Sequence, residues 1–274
     1  MADYGTYCSI GRLKSEMRIT GTSTDAALLR VLETASRHWD GECGRHFYPA
    51  VRTLYFDGPP DHVDRWQLWL PVDVLAVTTL KLDLDGDRTY ETALSGSDYE
   101  LVSLSEDQQP PYNRIDLKPK GSRKTWPLTR RVIELVATCG YSDETEPGGT
   151  LAEELDASET AVDMTAGHGE TGGEVLVVDD EEMYVSAVST NTLTVVRGVN
   201  GTTAATHSNG AAVTRRRYAR GIESATALRA ARLWRAGQSG NAGEVGSPEA
   251  GGFPVASTSR DEWVLVQDYR VRAY

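Results

Sequence analysis

The feature that most limits the possible folds is a series of short segments between Val51 and Ala137 in which apolar and polar residues alternate. A period of two places every second side chain on one face of a strand, so that one face is buried and the other meets solvent. Turn-forming stretches such as DGPPD and LDGD separate the segments. We therefore predict an antiparallel β region. Its candidate strands are VRTLYFD, RWQLWLP, VLAVTTLKLD, DYELVSL, RIDLK and RRVIELVAT.

A second group of short alternating segments follows Gly140. The polar stretch YSDETEPGG, rich in turn-forming residues, predicts a boundary before it. The candidate strands are TAVDM, EVLVV, EMYVSAV, TLTVV and AAVTR, joined by turns at DDEE and STNT. Residues 148–214 are therefore predicted to form an inserted β module of roughly 65 residues without a helix, which is long enough to hold a small core.

Three segments have the helical period instead. Ser9 can cap a short helix, and a longer helix is predicted to start after Thr22, with Asp25 in the spacing of a capping box. The longer helix has an apolar stripe and can end at Gly41 or Gly44. Residues 216–236 are predicted to form the third helix. Arg229 falls on its apolar side, which indicates a salt bridge or an interface. The stripe of the second helix comprises Leu28, Leu32, Ala35 and Trp39.

These patterns together predict an α+β fold: a small helical bundle core with an antiparallel β region, an inserted all-β module and a flexible C-terminal tail. The predicted domains are residues 1–147 with 215–236 as the core, 148–214 as the insert, 237–259 as a flexible linker and 260–274 as a partner-binding tail. The linker is rich in glycine and serine, whereas the tail is apolar and aromatic. The alternative for the tail is that it folds back on its own subunit.

The charges divide along the chain, whose net charge is −12. Asp143 to Glu182 holds fourteen acidic residues and no Lys or Arg, whereas Arg215 to Arg235 holds seven arginines against Glu223. Copies of such a chain can associate head to tail, acidic patch to basic patch, and close into a ring if the rotation allows. The alternative is two solvated faces that never meet. The candidate subunit-interface residues are Arg217, Arg220, Arg232 and Arg235, with Trp66 and Trp69 on opposite faces of one predicted strand.

No motif predicts catalysis, a metal site or a cofactor. VVRGVNGTTAATH, Val195 to His207, has no lysine after its last glycine, so it fails as a phosphate loop and reads as a hairpin at Asn200-Gly201. DLDGD is out of register for a calcium loop, and the pair Cys43 and His46 has no second half. The three cysteines predict buried thiols. We expect no enzyme, no signal peptide and no membrane contact.

The order of these elements resembles that of the head-tail connector proteins (adaptor or head-completion proteins) of tailed bacteriophages. The stretches that carry the resemblance are SIGRLKSEMRITGTSTDAALLRVLETASRHWDGECGRHFYP, LYFDG, LPVDVLAVTTLKLDLDGD, SDYEL, PYNRIDL, VIELVATCGY and ALRAARLWRA. The stretch EEMYVSAVSTNTLTVVRGVNGTTAATHSNGAAV is similar to a block that recurs in phage virion proteins. Together they cover about 200 of the 274 residues. The roughly 65-residue insert departs from the shorter members of the family.

The resemblance implies a structural virion protein, made in the bacterial host cytoplasm and located at the virion neck. It implies a homo-oligomeric ring, typically a dodecamer, under the portal protein, with a tail-side neck or stopper protein below. Viral double-stranded DNA would pass through the lumen without specific binding. The implied portal contacts of the tail are Trp263, Val264, Leu265, Val266, Tyr269 and Arg270.

Two other hypotheses stay open at this point. One is a capsid-surface or tail-surface binding module that uses the β insert to hold a ligand. The other is a hydrolase with an unrecognised pair of carboxylates.

Overall fold

The computed structural model describes residues 5–59, 64–238, 244–245, 253–254 and 258–271. The chain divides into two compact units, Met1–Gly44 with Glu144–Tyr274, and Arg45–Asp143. Each unit contains one six-stranded antiparallel sheet. Among the described residues, no helix is both long and apolar enough to cross a bilayer.

Four α-helices lie in the described part of the first unit, and their ends show why they form. Ser9 caps the first helix as predicted, because its side chain accepts a hydrogen bond from the backbone N–H of Arg12. The second helix begins later than predicted, after Thr24, and Thr24 makes no side-chain cap; Gly44 ends it with a left-handed φ of 67°. The helices are α1 (Ile10–Met17), α2 (Asp25–Cys43), α3 (Arg220–Gln238) and α4 (Arg260–Val266).

The sheet of the second unit contains strands β1 (Ala50–Phe56), β2 (Gln67–Leu82), β3 (Thr92–Leu94), β4 (Tyr99–Val102), β5 (Tyr112–Leu117) and β6 (Ile133–Cys139). The order is β1-β6-β2-β5-β4, and β3 pairs with β2. Two predicted strands, RWQLWLP and VLAVTTLKLD, are one strand, β2, whose first part pairs with β5 and whose second part pairs with β6. The inward side chains, including Leu80, Ile115 and Leu135, enclose Trp126 in a core of their own.

The sheet of the first unit contains β7 (Thr145–Thr150), β8 (Ala161–Asp163), β9 (Val175–Val178), β10 (Glu181–Ser189), β11 (Thr192–Val196) and β12 (Ala212–Arg216). Its order is β7-β12-β9-β10-β11-β8. Because β9 and β10 lie between β12 and β11, the predicted hairpin at Asn200-Gly201 is wrong. The stretch instead contains a short 3₁₀ turn, Val199–Gly201. The sheet has a second apolar core, around Met183, Val185 and Leu193.

The predicted fold class, a small helical bundle core with added β regions, is wrong, because the chain is mostly sheet and only 24% helical. The helices α1, α2 and α3 do share an apolar cluster, but much of it is alanine, such as Ala35, Ala227 and Ala230. Each sheet, by contrast, closes a core of larger side chains. The two sheets, rather than a helical bundle, therefore supply most of the buried apolar volume.

The predicted domain ranges stay a prediction. Most of the predicted flexible linker, 237–259, lies outside the described residues. Within it, Glu244–Val245 (β13) pairs with Phe253–Pro254 (β14).

Candidate functional site: charged surfaces of the first unit

Two exposed arginines, Arg217 and Arg220, stand where strand β12 ends and helix α3 begins. Both line a cavity of about 440 Å³, together with Tyr7, Ser9 and Thr171. Within the described part of the chain, neither guanidinium has a carboxylate partner. Both are therefore available to an anionic group from outside the chain.

The other three arginines at this cavity are held by carboxylates of the same unit. Arg12 lies 2.6 Å from Glu223, measured from Nη1 to Oε2. Arg215 Nε lies 2.7 Å from an oxygen of Glu146, and Arg216 Nη2 lies 2.5 Å from an oxygen of Glu182. Part of the basic segment is thus neutralised by the acidic segment inside one chain.

The arginines further along α3 surround a buried carboxylate, Glu262 of α4. Arg232 Nη1 lies 2.8 Å from Glu262 Oε1, and Arg229 Nη1 lies 3.6 Å from Oε2. The salt bridge predicted for Arg229 is therefore confirmed. Of the predicted interface arginines, Arg232 already has a partner in its own chain, whereas Arg235 is exposed like Arg217 and Arg220. Their place at a subunit interface stays a prediction.

The C-terminal segment docks on its own chain. The Glu262 end of α4 meets Arg229 and Arg232, while a Cβ atom on Gly221 would lie 2.6 Å from the carbonyl oxygen of Leu265, so α3 and α4 run antiparallel. Val271 donates its backbone N–H to the carbonyl of Cys43. The alternative in which the tail folds back on its own subunit describes this structure.

The six residues assigned to a portal contact differ in exposure. Val266 is fully buried, whereas Trp263, Leu265 and Tyr269 are half-buried and Val264 is 54% exposed. Arg270, which is exposed, places its guanidinium 4.7 Å from the centre of the Trp263 ring. Their contact with a portal protein stays a prediction.

Trp66 and Trp69 belong to the second unit, and both are exposed, by 41% and 46%. Leu68 and Leu70, which flank Trp69 in β2, point into the core. Arg114 places its guanidinium 5.0 Å from the centre of the Trp69 ring. Both indole rings therefore keep exposed apolar area, and the prediction that another subunit or another element covers one of them stays a prediction.

Two neighbouring carboxyl groups, the buried Glu170 and the half-buried Glu174, lie next to the arginines of this cavity, and Glu174 lines it. The Glu170 side chain is fully buried, 3.6 Å from Arg215, and the Glu174 Oε2 atom accepts the N–H of Thr171. Burial, and then a hydrogen bond with Glu170, raises the pKa of Glu174 to about 8. The N-terminal segment rests on this loop, because Thr6 and Ile10 donate to the carbonyls of Gly173 and Gly172.

Glu174 makes the stability of this unit depend on pH. Its pKa is raised above the ordinary value of 4.5, so the folded chain keeps a proton that the unfolded chain releases between pH 4.5 and about 8. The stabilisation is complete below pH 4.5 and is lost as the pH rises to about 8. Glu174→Gln is expected to flatten the fall in urea-unfolding free energy between pH 5 and pH 8.5. The control, Glu153→Gln at an exposed glutamate, is expected to keep the pH dependence of wild type. If the unfolding free energy of Glu174→Gln falls with pH as steeply as that of wild type, Glu174 is not the group responsible.

The glycine-rich and threonine-rich stretch Val195 to His207 folds around a buried carboxylate, Glu181. Arg197 binds both oxygens of Glu181, at 2.6 and 2.7 Å, and also donates to the carbonyls of Asp156, Glu159 and Ala205. His207 lies between Glu181, 2.9 Å from Nε2, and Asp179, 2.8 Å from Nδ1. Burial acts to raise the pKa of Glu181, but the hydrogen bonds from Arg197 and His207 lower it to about 2.

This network fastens a loop and does not form a phosphate site. Its charged groups are engaged with one another, and the side chains of Glu181, Arg197 and His207 are 1%, 6% and 2% exposed. Sequence reasoning missed the network. The sequence did hold a signal for it. Arg197 and His207 stand alone in an otherwise uncharged stretch downstream of the acidic turn DDEE, which indicates that they pair with its carboxylates.

The acidic run Asp83, Asp85 and Asp87 is the one group of potential metal ligands that comes together within the described residues. The two oxygens of Asp83 accept the N–H groups of Gly86 and Arg88, at 2.7 and 3.0 Å. The run is thereby explained as the turn between β2 and β3. Cys8, Cys43 and Cys139 are buried thiols, as predicted.

By its fold, the chain is an antiparallel β protein of two units, of which the first also carries helices, including the arginine-rich helix α3. No family model, no curated protein and no solved structure matches it.

Proposed function

We propose that this chain is a structural virion protein that forms a ring at the phage neck, joins the portal vertex of the capsid to the tail, and lets genomic DNA pass. The observation that carries the proposal is the pair of exposed arginines, Arg217 and Arg220, which have no carboxylate partner among the described residues and lie beside fixed ion pairs. In a ring of identical chains, a group that is left unsatisfied in one copy can be satisfied by the next copy. The order of elements along the sequence supports the same function.

The arginines serve contacts between subunits in this proposal, rather than contacts with DNA. A lumen lined by free guanidinium groups would retain DNA with an affinity that depends on salt, which opposes passage. The net charge of −12 agrees with a conduit that does not bind the phosphate backbone. Portal protein above and a tail-side neck or stopper protein below are the proposed partners, and twelve is the expected number of copies.

A surface ligand-binding module is the second candidate. A groove of about 840 Å³ in the first unit runs between helices α1 and α2 and strand β10. Its wall mixes apolar Leu29 and Val188 with charged Lys14 and Arg30. A groove of this size can hold a small ligand.

Locating the chain in the virion tests the two candidates. An epitope tag placed in the β2–β3 turn at Gly86, where an added Cβ atom would meet no heavy atom within 4 Å, is expected to leave the fold intact. Gold-labelled antibody is then expected at one site per particle, between head and tail. Label over the capsid surface or along the tail would favour the binding module, and purified particles without label would refute both proposals. Untagged particles are the control.

A further inference from the structure

We propose that the two ends of the first unit's sheet are complementary docking surfaces, through which one copy binds the next head to tail. The basic end is Arg217 and Arg220. The acidic end is Glu153, Glu154, Asp179 and Asp180. This inference rests on the ring proposed above and deepens it, because it names the surface of the neighbouring copy that the arginines meet.

The two ends lie at opposite ends of the same pair of strands. Strands β7 and β12 are antiparallel, with Arg216 opposite Thr145 and Ala212 opposite Thr150. Arg217 follows the first of these pairs. The turn that holds Glu153 and Glu154 follows the second pair. At about 3.3 Å per strand residue, roughly 15 Å of paired strand separates the two ends.

The acidic end is built from two turns that His207 holds together. His207 pairs with Leu155 through a backbone bridge, and its Nδ1 atom lies 2.8 Å from Asp179 Oδ2. Asp179 is adjacent to Asp180 in the turn between β9 and β10, and the β9 register with β12 places that turn at the Val213 end. The carboxylate of Asp179 is 69% exposed. In the described part of the chain, Glu153, Glu154 and Asp180 are exposed and have no cationic partner.

The separation prevents the two ends from neutralising each other inside one chain. A paired β ladder is stiff, so a lone copy keeps the free arginines and the free carboxylates apart. A second copy shifted along the strand direction brings its acidic end to the basic end of the first. Such a contact is heterologous, and repeating it closes a ring when the rotation between copies permits.

The chemistry of the basic end favours protein carboxylates over a phosphate backbone. The cavity beside Arg217 and Arg220 is also lined by Glu146, Glu174 and Glu223. Glu146 and Glu223 already hold Arg215 and Arg12, so only the guanidinium groups of Arg217 and Arg220 are left for a partner, fewer cations than the roughly 6–10 that a phosphate backbone commonly engages. A turn that carries two or three spaced carboxylates can meet the two guanidinium groups one by one.

The test is a charge exchange between the ends. The first variant, Arg217→Glu with Arg220→Glu, carries acid at both ends. The second, Glu153→Arg with Glu154→Arg and Asp180→Arg, carries a net positive charge at both ends, because Asp179, which holds His207, is the one carboxylate left at the former acidic end. Each variant alone is expected to lose self-association, with a dissociation constant raised at least about tenfold. An equimolar mixture is expected to regain it, because every contact in an alternating assembly again joins opposite charges.

Sedimentation velocity of the full chain at 50 and 500 mM NaCl measures the association. The matched control for the first variant is Arg30→Glu with Arg130→Glu, which changes the net charge by the same amount at two exposed arginines that belong to neither end, and it is expected to associate as wild type does. Wild type that does not self-associate at 50 mM NaCl, or a mixture that stays dissociated, would overturn the docking surfaces. The neck label described above is independent of this result, so the location of the chain can hold while the docking surfaces fail.

Discussion

Replacing Gly221 by alanine will release helix α4 from helix α3. The added methyl carbon would lie 2.6 Å from the Leu265 carbonyl oxygen and 2.8 Å from a ring carbon of Tyr269. The oxygen belongs to the backbone of α4, so a side-chain rotation cannot relieve the overlap. Overpacking of this kind costs about 1–3 kcal/mol. The docked helix is short, seven residues, and a cost of this size is expected to displace it.

Hydrogen exchange of the amides between Arg260 and Val271 measures the release. We expect exchange in this segment to accelerate about tenfold or more in Gly221→Ala, since the loss of about 1.4 kcal/mol changes an opening equilibrium tenfold. The matched control lies in the same helix. A methyl group on Gly237 meets nothing within 4 Å, so Gly237→Ala is expected to leave the exchange of α4 unchanged. Equal exchange in the two variants would contradict the close approach at Gly221.

The docked helix α4 also shows where the sequence held an unused signal. Ser259 and Glu262 form a capping box, in which the serine accepts from the Glu262 N–H and the glutamate accepts from the Ser259 N–H. This S-x-x-E spacing before an apolar run predicts a helix start. The burial of Glu262 against Arg229 and Arg232 was not predictable in the same way, because it depends on the packing of distant segments.

Alternation predicted most strands of both sheets, since it depends only on which side chains face a core. It failed at β7, whose residues TEPGGT have the composition of a turn. Pairing with β12 makes this segment a strand, with a register shift between Val213 and Thr214. A Cβ atom on Gly148 would lie 2.6 Å from a side-chain oxygen of Glu170, so a larger residue at this position would require the Glu170 side chain to move.

The sequence shows correctly that the charges divide into an acidic and a basic segment. It does not show which carboxylate each arginine binds. Arg215 and Arg216 lie in a strand, so the sheet places Arg215 beside Glu146 of the neighbouring strand β7 and Arg216 within reach of Glu182 in β10, two strands away. Arg217 lies one residue beyond the end of β12, and its side chain is exposed. The sheet register therefore decides which arginines are satisfied within the chain, and the register is a property of the fold rather than of local composition.

Glu181→Ala is expected to destabilise the first unit by about 3–5 kcal/mol. The substitution would remove the carboxylate that binds Arg197 and His207, whose side chains are 6% and 2% exposed. A buried guanidinium that loses its carboxylate keeps the cost of desolvation without the attraction that offset it. Urea unfolding measures the loss. The neighbouring Asp180→Ala, at an exposed carboxylate, is the control and is expected to change stability by less than about 0.5 kcal/mol.

A double substitution separates the ion pair from the packing around it. Glu181→Met with Arg197→Met removes both charges of the ion pair. Its loss of unfolding free energy is therefore expected to be smaller than the summed losses of Glu181→Met and Arg197→Met made singly. The backbone N–H groups of Gly198 and Ala205, which also donate to Glu181, lose their acceptor in either case. The double variant is therefore expected to stay less stable than wild type. Single losses that simply add would show that Glu181 and Arg197 act independently and that the loop is held by other contacts.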